Sequence, residues 1–178
     1  MTGPELPAGP SRIVADTLRH AVRHAATLTG DPALVAAAAA LGESAGMEPD
    51  PALPAVGSRT TRNLVVAASD TAAALGHPDE DVTVLASPRL GLWFEIVSCD
   101  LLPAPGEGPT SVGCGILVHH LGRSDVGETV TVETTVAHTA GRHVVFDCLA
   151  RSGDRVVGVG THHRALLRQP RTRPAPGR

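Results

Sequence analysis

Ser87, Glu95 and His120 are the residues whose types and placement could together do chemistry. Glu95 is the single charge in the apolar helical run Leu90 to Cys99. Burying an ionised carboxylate without partners is costly, so such a group is paired, exposed at one end, or used in chemistry. Ser87 stands eight residues before it, and His120 falls on a later predicted strand. A carboxylate can attack a carbonyl or draw a proton from water, a hydroxyl can orient by hydrogen bonding, and an imidazole can move protons near neutral pH. Each residue also has a purely structural use. Glu95 can face solvent or pair with an Arg, and Ser87 before Pro88 suits an N-cap contributing about 1 kcal/mol. Of the adjacent His119 and His120, strand alternation turns one inward and one outward without saying which.

The elements that must hold these residues can be read around them. Ser87 and Pro88 start the apolar helix as N-cap and first residue, and the helix is expected to end near Pro103. Thr60 to Ala68 reads as a first strand and Val82 to Ala86 as a short extended approach to the helix. Ser111 to His120, Glu128 to His138, Arg142 to Arg151 and Arg155 to Leu167 follow as strands. Thr129 to Glu133 alternates as a half-buried strand should, and Ala140-Gly141 and Ser152-Gly153-Asp154 supply hairpin turns. One long helix followed by an antiparallel meander predicts an α+β domain of the hot-dog type, with the sheet curled around the helix.

Upstream, Ser11 can cap a helix through Leu28, and Asp31-Pro32 starts a second in an Ala-rich run. Glu48 to Gly57, with three prolines, reads as a linker. The expected organisation is a helical extension with a flexible start and linker over residues 1–57, a hot-dog domain over 58–168, and a disordered tail over 169–178. At 178 residues the chain has room for one domain with a core and an appendage.

All 15 basic residues are Arg, set against 18 Asp and Glu, so no electrostatic footprint for nucleic acid or an anionic membrane is predicted. The three cysteines, Cys99, Cys114 and Cys148, are widely spaced and lie in apolar contexts, which suits a reducing cytoplasm. No secretory leader or membrane span is apparent, and a soluble cytoplasmic protein is expected. His20 and His24 have i,i+4 spacing, but nothing nearby completes a ligand set, so no metal is expected. Phosphate loops and Cys-x-x-Cys pairs are absent, which argues against nucleotide-hydrolase and zinc-finger readings.

Several stretches carry a resemblance. Val84-Leu85-Ala86-Ser87, Leu92-Trp93-Phe94-Glu95, Gly113 ahead of Val118-His119-His120, and Gly160-Thr161-His162-His163-Arg164 together resemble the fluoroacetyl-CoA thioesterase family of hot-dog enzymes. The likeness runs from about Leu64 to Leu167. It implies a catalytic set of Ser87, in the place of the family's Thr, with Glu95 and His120. It also implies that Gly113, whose backbone a carbonyl can approach closely, belongs to the substrate site as an oxyanion donor. Cys114 beside it and Arg164 are the other expected substrate contacts, although Arg164 can equally pair with an acidic side chain across the sheet. The family's aromatic lid has no counterpart, since the matching stretch is His77-Pro78-Asp79-Glu80-Asp81-Val82.

The expected activity is hydrolysis of an acyl-CoA or acyl-carrier-protein thioester, with Glu95 as nucleophile or general base. The setting would be secondary metabolism or detoxification. No cofactor is needed beyond the CoA or phosphopantetheine of the substrate itself. Expected partners are a second copy of the chain and an acyl carrier protein. The competing expectation is a non-hydrolytic hot-dog protein that binds acyl thioesters, or a dehydratase or cyclase built on the same residues.

Overall fold

The computed structural model describes residues 48–167 without a break, residues 29–40 before them, and the isolated positions 22, 23 and 26. The expected helix from Ser11 to Leu28 falls almost wholly outside the described residues, as do both terminal tails. The second upstream helix, α1 (Pro32–Ala40), is present, and the Asp31 carboxylate caps it by accepting the Ala33 N–H at 2.8 Å. The proline-rich segment before the sheet is tied down rather than loose. The Asp50 N–H donates to the Gly141 carbonyl, the Gly57 N–H donates to that of Val136, and Leu53 packs on the core.

Five antiparallel strands follow in the order β1-β3-β4-β5-β2: β1 (Arg59–Val65), β2 (Ser111–His120), β3 (Thr129–Ala140), β4 (His143–Ser152) and β5 (Arg155–Leu166). One helix, α2 (Ser87–Cys99), lies against their inner face. On α2 the buried side chains Leu90, Trp93, Phe94 and Val97 recur at i, i+3, i+4 and i+7, the spacing of one helical face. They meet Val130, Val132 and Val136 of β3, Val144, Phe146 and Cys148 of β4, and Val157 of β5. Along β3, buried and half-buried positions alternate from Val130 to Val136, the period of a sheet with one face in the core.

The helix comes close because β5 is small where they touch. A Cβ on Gly158 would lie 2.6 Å from Leu90 Cδ2. One on Gly160 would overlap the Leu117 carbonyl oxygen and stand 3.1 Å from Phe94 Cε2. Gly160→Ala is therefore expected to cost about 1–3 kcal/mol through overpacking, read as a lowered urea midpoint. An unchanged midpoint would contradict this packing.

α2 ends at Cys99, earlier than the expected end near Pro103. The chain leaves through tighter turns in which Leu101 and Leu102 donate to the Ser98 and Cys99 carbonyls. Before α2, residues 66–86 wrap past the helix start, held by the Ala86 N–H to the Asp70 carbonyl and by Arg89 Nε 2.9 Å from Asp70 Oδ1. Among the described residues no helix is long and apolar enough to cross a membrane.

Candidate active site

Ser87 is the first residue of α2 rather than its cap. Ala86 takes the cap position, with φ −81° and ψ 143°, and its carbonyl accepts the Leu90 N–H at 3.0 Å. The Ser87 hydroxyl makes no capping bond because it is engaged elsewhere: Oγ lies 3.0 Å from His120 Nδ1. Both residues line an open cavity of about 630 Å³, walled on its other side by Ala72, Leu75 and His77 of the segment before the helix. His120 is thus the inward member of the His119-His120 pair. Its buried Nε2 has no hydrogen-bond partner among the described residues. Burial lowers the His120 pKa below its ordinary value, opposed in part by the nearby Gly122 backbone.

Glu95 faces a different set of groups. Its Oε1 accepts from Arg164 Nη1 at 2.6 Å. Arg164, nearly covered, is fixed in turn by Ser111, donating through Nε to the hydroxyl at 3.0 Å and through Nη2 to the carbonyl at 3.1 Å. Gly113 sits directly over this pair. A Cβ there would stand 3.2 Å from Glu95 Oε1 and 3.5 Å from His162 Nε2, so the bare backbone leaves room above the carboxylate. His162 is buried, and its pKa is pushed down to about 4, first by desolvation and then by the Arg164 charge. It is a neutral imidazole at physiological pH.

One chain therefore carries the expected residues as two half-sites. Ser87 and Glu95 are about 12 Å apart along the helix axis at 1.5 Å per residue. Gly113 and His120 are separated by about 20 Å or more of strand. Glu95 and Gly113 come together, Ser87 and His120 come together, and within the chain the two pairs do not meet. Arg164 joins the Glu95 pair as its ion-pair partner. Cys114 joins neither: the β2–β5 register shifts between Gly113 and Gly115, and the bulge turns Cys114 toward His143 and His163. Two contributors were not singled out in the sequence, Ser111 and His162. The Gly160-Thr161-His162-His163-Arg164 stretch held the signal for His162, because strand alternation puts His162 and Arg164 on one face.

An antiparallel sheet curled around one helix, with hydroxyl, imidazole and carboxylate on its inner side, defines a hot-dog domain of the thioesterase type. Residues 66–170 match the fluoroacetyl-CoA-specific thioesterase family FlK, and the chain belongs to that family. The fluoroacetyl-CoA thioesterase of Streptantibioticus cattleyicolor is 38% identical over 63 residues, which cover 35% of this chain and 44% of that protein. The chain thus spans less than half the length of that curated relative. A crystal structure of a point mutant of FlK with fluoroacetate and CoA superposes with a TM-score of 0.58 at 30% identity, over 64% of this chain and 94% of the other. A hot-dog-like protein from Thermanaerovibrio acidaminovorans shares the fold, with a TM-score of 0.57 at 24% identity over 63% and 82% of the two chains.

Proposed function

We propose that this protein hydrolyses acyl thioesters at a site made by two copies of the chain, Ser87 and His120 coming from one and Glu95, Gly113 and Arg164 from the other. The observation that carries this reading is the separation of the two half-sites at opposite ends of β2. β2 is an edge strand, and Ile116 on it and Leu92 and Ile96 on α2 are exposed apolar residues. A second copy pairing antiparallel along β2 would cover them and satisfy the edge.

The face of each β2 residue sets the register. Gly113, Ile116, Val118 and His120 face α2, with Ile116 and Val118 beside Gly91, while Gly115 pairs with the outward His163. Opposed residues in an antiparallel ladder share a face. A two-fold axis through Leu117 meets that condition and, with Cys114 bulged out, sets His120 of each copy opposite Gly113 of the other.

In such a site Glu95 either attacks the acyl carbon or takes a proton from the attacking water. By either route water is consumed, the carbon–sulfur bond breaks, the acid is released, and the thiolate leaves with a proton. The Gly113 N–H would stabilise the oxyanion, and His120, oriented by Ser87, would supply the thiol's proton. Arg164 keeps Glu95 placed. The acyl group would be larger than fluoroacetyl, because both Phe residues of the chain, Phe94 and Phe146, lie in the core and neither can close a lid. The carrier is CoA or a phosphopantetheinyl protein. The three free cysteines suit a cytoplasmic setting.

The test is thiol release from a panel of short, branched, aromatic and long acyl-CoAs, with carrier-bound acyl groups alongside. Turnover of at least one class is expected, and silence across the panel would contradict a hydrolase. The low His120 pKa adds a pH signature. Because His120 donates the thiol's proton, activity needs its imidazolium form, and the lowered pKa puts the midpoint of the alkaline limb of kcat/KM below about 6.5. A midpoint above that value would remove His120 from the proton path.

A further inference from the structure

The outer face of the sheet carries a cluster unrelated to the hydrolytic site. Gly113 and His162 point toward α2, so alternation sends His163 to the opposite face, and the bulge sends Cys114 there too. His143, on the adjacent β4, joins them from the neighbouring strand position, since its partner in the register is Ala165. One donor atom from each of Cys114, His143 and His163 lies within 4.8 Å of the others. His143 Nδ1 and His163 Nε2 are 3.1 Å apart, with ring centroids 5.2 Å apart and planes tilted by 47°.

We propose that Cys114, His143 and His163 form a divalent transition-metal site, with Zn²⁺ as the matching ion. A thiolate with two imidazoles is a donor set that Zn²⁺ favours, and three protein ligands leave a fourth position for water. Tetrahedral Zn²⁺ requires about 3.3 Å between nitrogens and about 3.6 Å between sulfur and nitrogen, from bonds of about 2.0 and 2.3 Å. The imidazole spacing already meets that requirement, and a rotamer adjustment of Cys114 supplies the rest. His163 is buried and held by the sheet, whereas Cys114 is exposed and gives the ion a route in. The ligands come from three neighbouring strands, β4, β5 and β2, so the ion would clamp the sheet edge. It would also fix the bulge beside Gly113. The proposed site departs from the expectation that the chain binds no metal, and it stands apart from the hydrolytic reading.

The experiment is titration of metal-free full-length protein with Co²⁺, followed by Zn²⁺ displacement. Co²⁺ produces a thiolate-to-metal charge-transfer band only when sulfur ligates it. One equivalent per chain with that band is expected in the wild type and in Cys99→Ser. Cys114→Ser should abolish the band, and His143→Asn should weaken affinity by about 100-fold or more, beyond the loss expected for an outer-shell partner. Circular dichroism would confirm that both variants are folded, and Cys114, being exposed, should tolerate Ser. No band at stoichiometric metal, or a band that survives Cys114→Ser, would overturn the site and leave the His143–His163 pair as a hydrogen bond alone.

Discussion

Glu95→Gln is expected to lower kcat for thioester hydrolysis by about 10²–10⁴-fold while the protein stays folded and melts within a few degrees of the wild type. The two halves of that expectation come from the same geometry. Gln is isosteric with Glu, and its amide oxygen can still accept the Arg164 Nη1 hydrogen bond now made at 2.6 Å. Glu95 is also partly exposed, which limits the stability lost when the charge facing the nearly covered Arg164 becomes an amide. What Gln lacks is a nucleophilic or basic oxygen. His120→Ala should produce a loss of similar size, because the leaving thiolate and the Ser87 hydroxyl would both lose their partner. Thiol release measured beside thermal melts checks both variants. Near-wild-type turnover in Glu95→Gln would leave Glu95 as a structural partner of Arg164 and nothing more.

Leu117→Asp is expected to convert a dimer into monomers and to reduce hydrolysis at least tenfold with the fold retained. On the proposed two-fold axis Leu117 faces its own copy, so one substitution places two carboxylates directly opposite each other, where like charges destabilise a strand pair. Leu117 is 39% exposed in the single chain, so Asp at that position disturbs limited packing within it. Sedimentation or light scattering reads the assembly, and the thiol assay reads the site. A variant that stays dimeric and fully active would place the contact elsewhere. A monomer that retains full activity would show that one chain suffices.

Local patterns in the sequence carried much of the fold. β2 runs from Ser111 to His120 as its residues predict, and the remaining strands of the meander shift by one or two residues at their ends. The start of α2 was legible from Ser87-Pro88, but the use of the Ser87 hydroxyl was not. Capping and bonding to His120 demand the same oxygen, and only the fold brings His120 within 3.0 Å. The apolar run announced that Glu95 needed a partner, yet that partner, Arg164, lies 69 residues away and is chosen by how β5 sits beside the helix. Cys114, His143 and His163 have no ligand spacing along the chain. A bulge and two strand registers create their proximity, and neither feature can be read in a pattern of period two. The division of the expected catalytic set into two half-sites follows from the pitch of a helix and the rise of a strand, both fixed before any tertiary contact forms.

The sharpest test of a shared site is subunit complementation. Glu95→Gln and His120→Ala proteins, each inactive alone, would be mixed under conditions that exchange subunits, and thiol release would be followed. A heterodimer of the two contains one site with both Glu95 and His120 intact, so statistical exchange should restore about one quarter of wild-type activity. No recovery despite exchange verified by mass would mean that Glu95 and His120 act within one chain, and the two-copy site would be wrong.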